Sequence, residues 1–396
     1  MKPPFFKWLI CLFTFLTMEL CVESATVNFI EKPIYGTSFV QLENAYLQVI
    51  IDPDNGARIK SLVQKATGHD LAYWQGESGA NLGLMRDISP SIPHPGDMYD
   101  AVYKVNLIPD KKDEVSCEFY FDHRSQSARG IRYRKIFTLR ENEPFLRITL
   151  EMENNGFLER KIDWRIHNMI LPSGQFDPDN EICLAPTVNG ITVKSENKPP
   201  YFFTDFTDGW MAIINKKEKE GIVVRNHYDD LAKMLFWVST DPPSSTMEWV
   251  YNEVALKQGD IFRTDVQLMP TSGLSSIDGV CDLGVLELLL SERILRIYGL
   301  QDGTIEVKIK YLLPGQVEKI LLEKSVLLNK GKVSTVKFDR PVKGSQTLGI
   351  HFSFAGKDYF FIKPLIKSYQ IVQPDRQPTQ IISGTPPKKR IIIIPK

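Results

Sequence analysis

The chain has 396 residues, which at roughly 150 residues per domain allows about two or three domains with full hydrophobic cores. Its 48 basic and 48 acidic residues give a net charge of zero, so no overall positive field favours nucleic acid, and we expect no nucleic-acid partner. A hydrophobic content of 43% with 22 Phe, 14 Tyr and 6 Trp excludes a disordered chain and indicates a globular protein.

The first residues have the composition of a secretory signal. Two lysines precede an apolar run over residues 8–16, and small residues follow from Ser24. The apolar run is too short to span a membrane stably, and Glu19 interrupts its continuation. We therefore predict a signal peptide over residues 1–24, a secreted or periplasmic location, and no integral membrane span after cleavage. An uncleaved anchor and lipidation at Cys21 remain open as alternatives.

The strand pattern begins after a short linker that we assign to residues 25–37. From residue 38 onward, apolar residues alternate with polar ones in short runs, and six Asn-Gly or Asp-Gly pairs separate the runs. A period of two with such turns predicts antiparallel β-structure. Helix-breaking and small residues cluster over 271–278, which predicts a boundary after a first domain at 38–270.

The C-terminal part contains a second run of strand patterns. Residues 304–311 alternate cleanly, and further strand-like segments follow at a spacing that suits an immunoglobulin-like sandwich over residues 278–370. Residues 371–396 carry five prolines, five basic residues and one acidic residue. This composition predicts a disordered basic tail.

Metal and cofactor chemistry is not indicated. Cys117, Cys183 and Cys281 remain after cleavage of the signal, and their odd number and wide spacing form neither a disulfide framework nor a zinc motif. Residues 177–181 could offer oxygen ligands to calcium, but a turn accounts for the same composition. The chain has no Walker A, GxSxG, HExxH or dinucleotide motif. We expect no metal and no cofactor.

Four stretches within residues 38–270 together resemble the galactose-mutarotase-like supersandwich superfamily, which includes sugar epimerases and domains of polysaccharide lyases. These stretches are residues 47–62, residues 163–168, residues 208–214 with 221–224, and residues 247–249 with 256–260. The resemblance implies an all-β protein, with a large antiparallel β supersandwich followed by the immunoglobulin-like β-sandwich. It also implies affinity for a saccharide or glycan.

The resemblance is closer for the fold than for the epimerase reaction. Epimerases of this superfamily carry an Asn-His pair on the central strand, whereas this chain has His167 followed by Asn168. In the region that corresponds to the first histidine of those enzymes, the chain offers Arg86 and His94. His94 lies in a loop with three prolines, which suits a binding loop because the prolines limit its freedom.

The central strand carries the first group of candidate site residues. Alternation places Asp163, Arg165 and His167 on one face and Trp164 on the other. A face with an acid, a guanidinium and an imidazole is either a polar cleft or an exposed sheet face with ion pairs. In a cleft, Arg165 would bind a hydroxyl or carboxylate and His167 would transfer a proton.

A second group lies on the strand around Glu248, whose side chain points away from Trp249. A carboxylate with apolar neighbours can act as a base. The first domain has five tryptophans, and sugar rings stack on aromatic faces. We therefore include Trp164, Trp210 and Trp249 among the substrate-binding candidates. We also expect three of the five tryptophans to pack in the core. We therefore predict that His167, Glu248 and His94 are catalytic and that a second set binds substrate: Arg86, Asp163, Arg165, Trp164, Trp210 and Trp249.

Three function classes follow from these observations. The preferred one is an exported carbohydrate-binding protein of the cell envelope or periplasm, a layout that also resembles periplasmic glucan-biosynthesis proteins. The second is a sugar-active enzyme, either aldose 1-epimerase-like or polysaccharide lyase- or hydrolase-like. The third is a structural envelope protein that binds a partner through its sandwich edges.

Overall fold

The computed structural model describes residues 24–31, 38–73, 83–90, 98, 100–195, 200–240, 243–312, 319–340 and 347–364. The predicted signal peptide up to residue 23, the basic tail and His94 lie outside these residues. Within the described part the chain forms 29 β-strands and one short 3₁₀ helix, Tyr228–Asp230, with no α-helix. The all-β prediction is confirmed.

Twenty-one strands belong to the part of the chain that precedes residue 273. In chain order they are β1 (Thr26–Glu31), β2 (Ser38–Glu43), β3 (Leu47–Asp52), β4 (Arg58–Gln64), β5 (His69–Asp70), β6 (Arg86–Ile88), β7 (Lys104–Lys111), β8 (Glu114–Asp122), β9 (Ile131–Arg140), β10 (Leu146–Asn154), β11 (Arg160–Ile162), β12 (Arg165–Ile170), β13 (Glu181–Thr187), β14 (Gly190–Lys194), β15 (Tyr201–Phe203), β16 (Trp210–Asn215), β17 (Glu220–Asn226), β18 (Leu231–Thr240), β19 (Pro243–Tyr251), β20 (Val254–Leu256) and β21 (Ile261–Ser272).

Eight strands follow in the C-terminal part. They are β22 (Gly279–Cys281), β23 (Gly284–Leu289), β24 (Ile294–Gly299), β25 (Gly303–Leu312), β26 (Lys319–Leu328), β27 (Val333–Lys337), β28 (Thr347–Phe354) and β29 (Lys357–Pro364).

Three antiparallel sheets form the first part of the molecule. One has nine strands in the order β14-β13-β16-β17-β21-β10-β9-β8-β7, a second has the order β1-β2-β3-β4-β5, and a third has the order β15-β18-β19-β12-β6. A small two-stranded sheet pairs β11 with β20. Apolar side chains from all three large sheets meet in one buried cluster, so they form a single sandwich core.

The predicted linker at residues 25–37 is wrong over its first half. Strand β1 pairs with β2 along its whole length, with Thr26 opposite Glu43 and Glu31 opposite Ser38. The side chains of residues 26–30 are exposed or half-buried, which is typical of an edge strand. The weak burial explains why its alternation gave little signal in the sequence.

A buried ion pair crosses the core of this sandwich. Lys135 on β9 lies 2.6 Å from a carboxylate oxygen of Asp87 on β6, and both side chains are fully buried. The Lys135 ammonium also donates to the backbone carbonyls of Gly56 at 2.7 Å and Met85 at 2.6 Å. Tyr103 donates to the same carboxylate at 2.7 Å. These bonds fix β6 against the nine-stranded sheet, because each buried charge has several partners.

The C-terminal part consists of two four-stranded antiparallel sheets, with the orders β22-β23-β24-β27 and β26-β25-β28-β29. Their inward-facing side chains share a core of their own. The assignment of this part as immunoglobulin-like stays a prediction.

Residues 271–278 do not form an exposed linker. Leu274 and Ile277 are fully buried. They belong to a third apolar cluster that joins Trp210 and Val223 of the nine-stranded sheet to Tyr298 of β24. The two parts of the molecule are therefore packed against each other through shared core residues.

Candidate functional site

The candidate site is built on β12, which lies between β19 and β6. The pairing places His167 opposite Glu248 on β19 and opposite Arg86 on β6. Directly opposite residues of neighbouring antiparallel strands project from the same face of a sheet. Arg86, His167 and Glu248 therefore form a row across three strands, which we call the polar row.

Arg165 joins this row from two positions earlier on β12. Its Nε donates a hydrogen bond to Oε2 of Glu248. The Nε2 atom of His167 lies 3.6 Å from the other carboxylate oxygen, Oε1. The exposed fraction rises from 3% for the Glu248 side chain to 11% for His167 and 21% for Arg165. The carboxylate thus lies at the bottom of the site, with the two nitrogen-bearing groups closer to solvent.

Burial sets the electrostatics of the polar row. It raises the pKa of Glu248, while the charges of Arg165, Arg86 and Lys233 act in the opposite direction. Burial also lowers the pKa of Arg86, together with the positive charge of Arg58. An acid and a guanidinium that are both costly to keep charged when buried favour one another as neighbours.

Exposed aromatic side chains lie on the same face of the sheet. Phe202 of β15 is opposite Leu235 of β18, which is in turn opposite Glu248. Trp237, two residues further along β18, is 39% exposed, and Phe202 is 48% exposed. The Lys233 ammonium lies 5.4 Å from the centre of the Phe202 ring. The face therefore combines polar groups with two rings that a ligand can reach.

The tryptophans that we expected to bind substrate are instead in the core. Trp164, Trp210 and Trp249 are at most 2% exposed, so none of them offers a ring face to a ligand, and this prediction is wrong for all three. Trp164 and Trp249 project to the inner face of the sheet because they alternate with Arg165 and Glu248. Trp237, which was not among the predicted site residues, has an accessible ring instead.

Trp164 supports the site from below. Its indole Nε1 donates to a carboxylate oxygen of Asp87 at 3.0 Å. Asp87 directly follows Arg86 on β6. The bond therefore ties Trp164, which precedes β12, to the strand that carries Arg86. Trp164 is therefore a positioning residue.

Two other predicted residues stand apart from the polar row. Asp163 precedes the paired part of β12, and its backbone carbonyl accepts a hydrogen bond from Ser89 at 2.6 Å. His94 lies outside the described residues. The structure thus brings together Arg86, Arg165, His167 and Glu248 of the predicted set.

A cavity of about 470 Å³ lies near the far end of β12. Tyr73 and Leu171 line one side of it, and Phe39 and Lys60 line another. The backbone N–H of Tyr73 donates to the carbonyl of Met169 at 3.1 Å, which ties the cavity wall to the strand of the polar row. The volume lies within the usual range of ligand pockets.

Metal ligation finds no support among the described residues. No group of three or more His, Cys, Asp or Glu side chains in this part of the chain is arranged to hold a metal ion. Cys117, Cys183 and Cys281 are buried free thiols, and burial raises the pKa of Cys281 to about 11 and that of Cys117 to about 12. Such thiols are poor nucleophiles near neutral pH. Among the described residues, no helix is long and apolar enough to cross a membrane.

The three large sheets form a large antiparallel sandwich of the galactose-mutarotase-like type. Among solved structures, the chain is similar to a galactose mutarotase-like protein from Clostridium acetobutylicum, with 11% identity and a TM-score of 0.50, covering 62% of this chain and 99% of that one. At this identity the likeness concerns the fold. The supersandwich prediction is thereby confirmed.

Further solved structures are similar at lower scores. A protein from Synechocystis sp. PCC 6803 has 11% identity and a TM-score of 0.48 over 62% of this chain and 99% of that one. A galactose mutarotase-like protein from Lactobacillus casei has 12% identity and a TM-score of 0.45 over 59% of this chain and 99% of that one. No protein-family model matches the sequence. No curated protein matches it either.

Proposed function

We propose that the protein is an exported carbohydrate-binding protein of the cell envelope or periplasm, and that it binds a saccharide at the polar row. The observation that carries the proposal is the buried Glu248 carboxylate, held by Arg165 and approached by His167 on a face with accessible rings. Carboxylate and guanidinium groups hydrogen-bond sugar hydroxyls, and the rings of Trp237 and Phe202 suit the apolar faces of sugar rings.

The dimensions of the site support a small saccharide. The rings of Trp237 and Phe202 are two and three strands away from His167, or about 10–14 Å at roughly 4.8 Å per strand, a distance that a saccharide of two or three sugar rings covers. The fold of sugar-related proteins agrees with this ligand class. The nearby cavity offers room for a further part of a glycan.

A second candidate function is catalysis of the aldose 1-epimerase type. The observation that favours it is the 3.6 Å distance between His167 Nε2 and Glu248 Oε1, because an acid and a base must reach one sugar ring together. In this reaction the Glu248 carboxylate takes the proton of the anomeric hydroxyl. His167 in its protonated form gives a proton to the ring oxygen as the bond from the anomeric carbon to that oxygen breaks. Closure of the open-chain aldose on its other face reverses both transfers.

A lyase reaction uses the same face differently. Arg165 or Arg86 would neutralise the carboxylate of a uronate, and His167 would remove the adjacent proton. The third class, a structural protein that binds a partner through its sandwich edges, needs no saccharide at all.

The first test uses Trp237→Ala and His167→Gln. Both side chains lie on the ligand-facing side, and neither carries the charge that balances Glu248, so we expect thermal unfolding to change little. Loss of a stacked ring or a hydrogen bond costs about 1–3 kcal/mol, which weakens saccharide binding roughly five- to 150-fold in isothermal titration. His351→Gln, which removes an imidazole from the C-terminal sheet, is the matched control and should bind normally.

The panel of ligands decides among the classes. Binding of neutral or acidic oligosaccharides that fails in the site variants supports the proposal. Absence of binding to every saccharide at millimolar concentration would reject it and favour the structural class. Glu248→Gln separates the first two classes: a mutarotation or lyase activity that the native protein has and this variant lacks identifies an enzyme.

A further inference from the structure

A loop at one end of the sandwich presents two apolar side chains to solvent. Residues 155–159 connect β10 to β11, and we call them the tip loop. Phe157 is 89% exposed and Leu158 is 65% exposed. Within the described part of the chain, Phe157 is the most exposed large apolar residue. Exposure of apolar side chains to water is unfavourable, so two adjacent exposed apolar residues in one loop indicate a binding surface.

The tip loop is held rigidly by the fully buried Asn154. The side-chain amide of Asn154 donates to the carbonyls of Leu158 and Leu256, both at 2.8 Å. Its side-chain oxygen accepts from the N–H of Gly156 at 2.9 Å. The loop therefore presents its apolar side chains in a fixed arrangement, with little conformational entropy left to lose on binding.

A neighbouring loop packs directly against the tip loop. The N–H of Asn155 donates to the carbonyl of Gly130 at 2.8 Å. A Cβ atom on Gly130 would lie 2.8 Å from the Cα of Gly156, so both positions need glycine for this close approach. The contact brings the segment between β8 and β9 to the base of the tip loop.

Basic residues lie in the chain segments that adjoin the tip loop. They come from the neighbouring loop, from the start of β11 and from the turn after β20, whose Gly259 N–H donates to the carbonyl of Asn154 at 2.7 Å. The five are Arg124, Arg129, Arg160, Lys161 and Lys257. The acidic residues of the same segments are Glu159 and Asp260, and the Asp260 carboxylate accepts a hydrogen bond from the backbone N–H of Lys257 at 2.9 Å.

We infer that the tip loop docks the protein on an anionic lipid surface, with Phe157 and Leu158 inserted into the headgroup region and the basic residues facing lipid phosphates. This inference goes beyond saccharide binding. An apolar apex with a cationic rim matches the two attractions that hold monotopic proteins on membranes. Two side chains are too small for a stable protein interface, which buries about 800 Å² on each partner.

The test is sedimentation of the purified protein with sucrose-loaded vesicles. One vesicle is pure phosphatidylcholine, and the other contains about one third phosphatidylglycerol. We expect the native protein to bind the anionic vesicle more strongly, and to bind it less as salt screens the attraction. Equal binding to both vesicles would contradict the role of the basic residues.

Matched variants separate the tip loop from general stickiness. Phe157→Ser with Leu158→Ser should reduce vesicle binding about tenfold or more, because insertion is lost. Phe360→Ser with Leu327→Ser removes the same residue types from exposed positions of the C-terminal sheet and should bind as the native protein does. The basic tail is present in every variant, so its contribution is constant.

A further variant tests the basic residues, and size-exclusion chromatography tests for self-association. Arg129→Gln with Lys161→Gln should weaken binding to the anionic vesicle and flatten its salt dependence, while thermal unfolding stays unchanged. Unaltered vesicle binding by the Phe157 and Leu158 double variant would overturn the inference. So would a native dimer in size-exclusion chromatography that this double variant abolishes, because the tip loop would then be a contact between copies of the chain.

Discussion

At the scale of single residues, neighbours far along the chain decide whether a side chain serves the site or the core. Trp164 and Arg165 are adjacent in sequence, yet one is fully buried and the other hydrogen-bonds a residue 83 positions away. Alternation along the strand explains the separation. The inner residue then gains its own polar partner, the Asp87 carboxylate.

We predict that Trp164→Phe destabilises the protein through the loss of this hydrogen bond. The carboxylate of Asp87 keeps Lys135 and Tyr103 but loses a buried donor, which costs about 1–3 kcal/mol beyond the loss of volume. Trp210→Phe is the control for volume, since it is an equally buried tryptophan. Urea denaturation measures both, and an equal loss in the two variants would contradict the role of the hydrogen bond.

Glu181 gives a prediction about pH. It is buried, its carboxylate accepts hydrogen bonds from Ser245 and from the N–H of Asp177, and burial raises its pKa above the ordinary value of 4.5. The folded state therefore binds a proton more readily than the unfolded state, and this residue makes stability fall as pH rises from 4.5 through the folded pKa.

The variant Glu181→Gln lacks this titration. Its unfolding free energy relative to the native protein should rise with pH from about 4.5 and level off once Glu181 is ionised in the folded state. Chemical denaturation at a series of pH values measures the difference. A difference that is constant with pH, or that falls, would show that the carboxylate is already ionised at low pH.

The sequence predicted part of the arrangement of the polar row. Alternation predicted that Arg165 and His167 share a face and that Glu248 points away from Trp249, and the structure agrees. Local periodicity carries no information on which strands become neighbours, so the sequence did not predict that Arg86 lies opposite His167, and Arg86 became a candidate only through the family resemblance. The exposure of Trp237 depends on the same pairing.

At the scale of elements, the sequence pattern predicted strands well where one face of the strand is buried, and poorly where neither face is buried. Strand β9 alternates buried and half-buried residues over its whole length, which is the pattern that predicts a strand. Residues 26–30 of strand β1 are all exposed or half-buried, so their pattern did not stand out and we predicted a linker there. The breakers at 271–278 predicted a boundary, but they carry no information on burial, and the structure packs Leu274 and Ile277 into a shared core.

Gly221 on β17 shows how closely two strands of the nine-stranded sheet approach. A Cβ atom there would lie 2.2 Å from the carbonyl oxygen of Ile213, so the sheet must shift to accept a side chain. We predict that Gly221→Ala destabilises the protein by about 2 kcal/mol or more. Gly349→Ala on β28 has ordinary contacts from 3.5 Å outward and should be neutral or slightly stabilising in the same thermal unfolding experiment.

At the scale of the whole molecule, the two parts share a core. The cluster that contains Trp210, Leu274, Ile277, Tyr298 and Leu300 draws residues from both sides of the expected boundary. Separation of the parts would expose these apolar side chains to water, and the cost rises with the area exposed.

We therefore predict a single unfolding transition for the described part of the chain. Leu300→Ala should lower the midpoint of that one transition, by about 2–5 kcal/mol in stability, without splitting it. Differential scanning calorimetry is the measurement. Two separate transitions in the native protein, or protease cleavage within 271–278 under native conditions, would show that the parts unfold independently.

The buried Lys135 ammonium also provides a way to measure how often the sandwich opens. Amine-acylating reagents need a solvent-accessible, deprotonated nitrogen, and this one is enclosed by Asp87 and backbone carbonyls while burial lowers its pKa. Surface lysines should be modified within minutes, whereas Lys135 reacts only in molecules whose sheets have parted. Its labelling rate, followed by mass spectrometry, then measures how often the sandwich opens under native conditions, without denaturant and without a mutation.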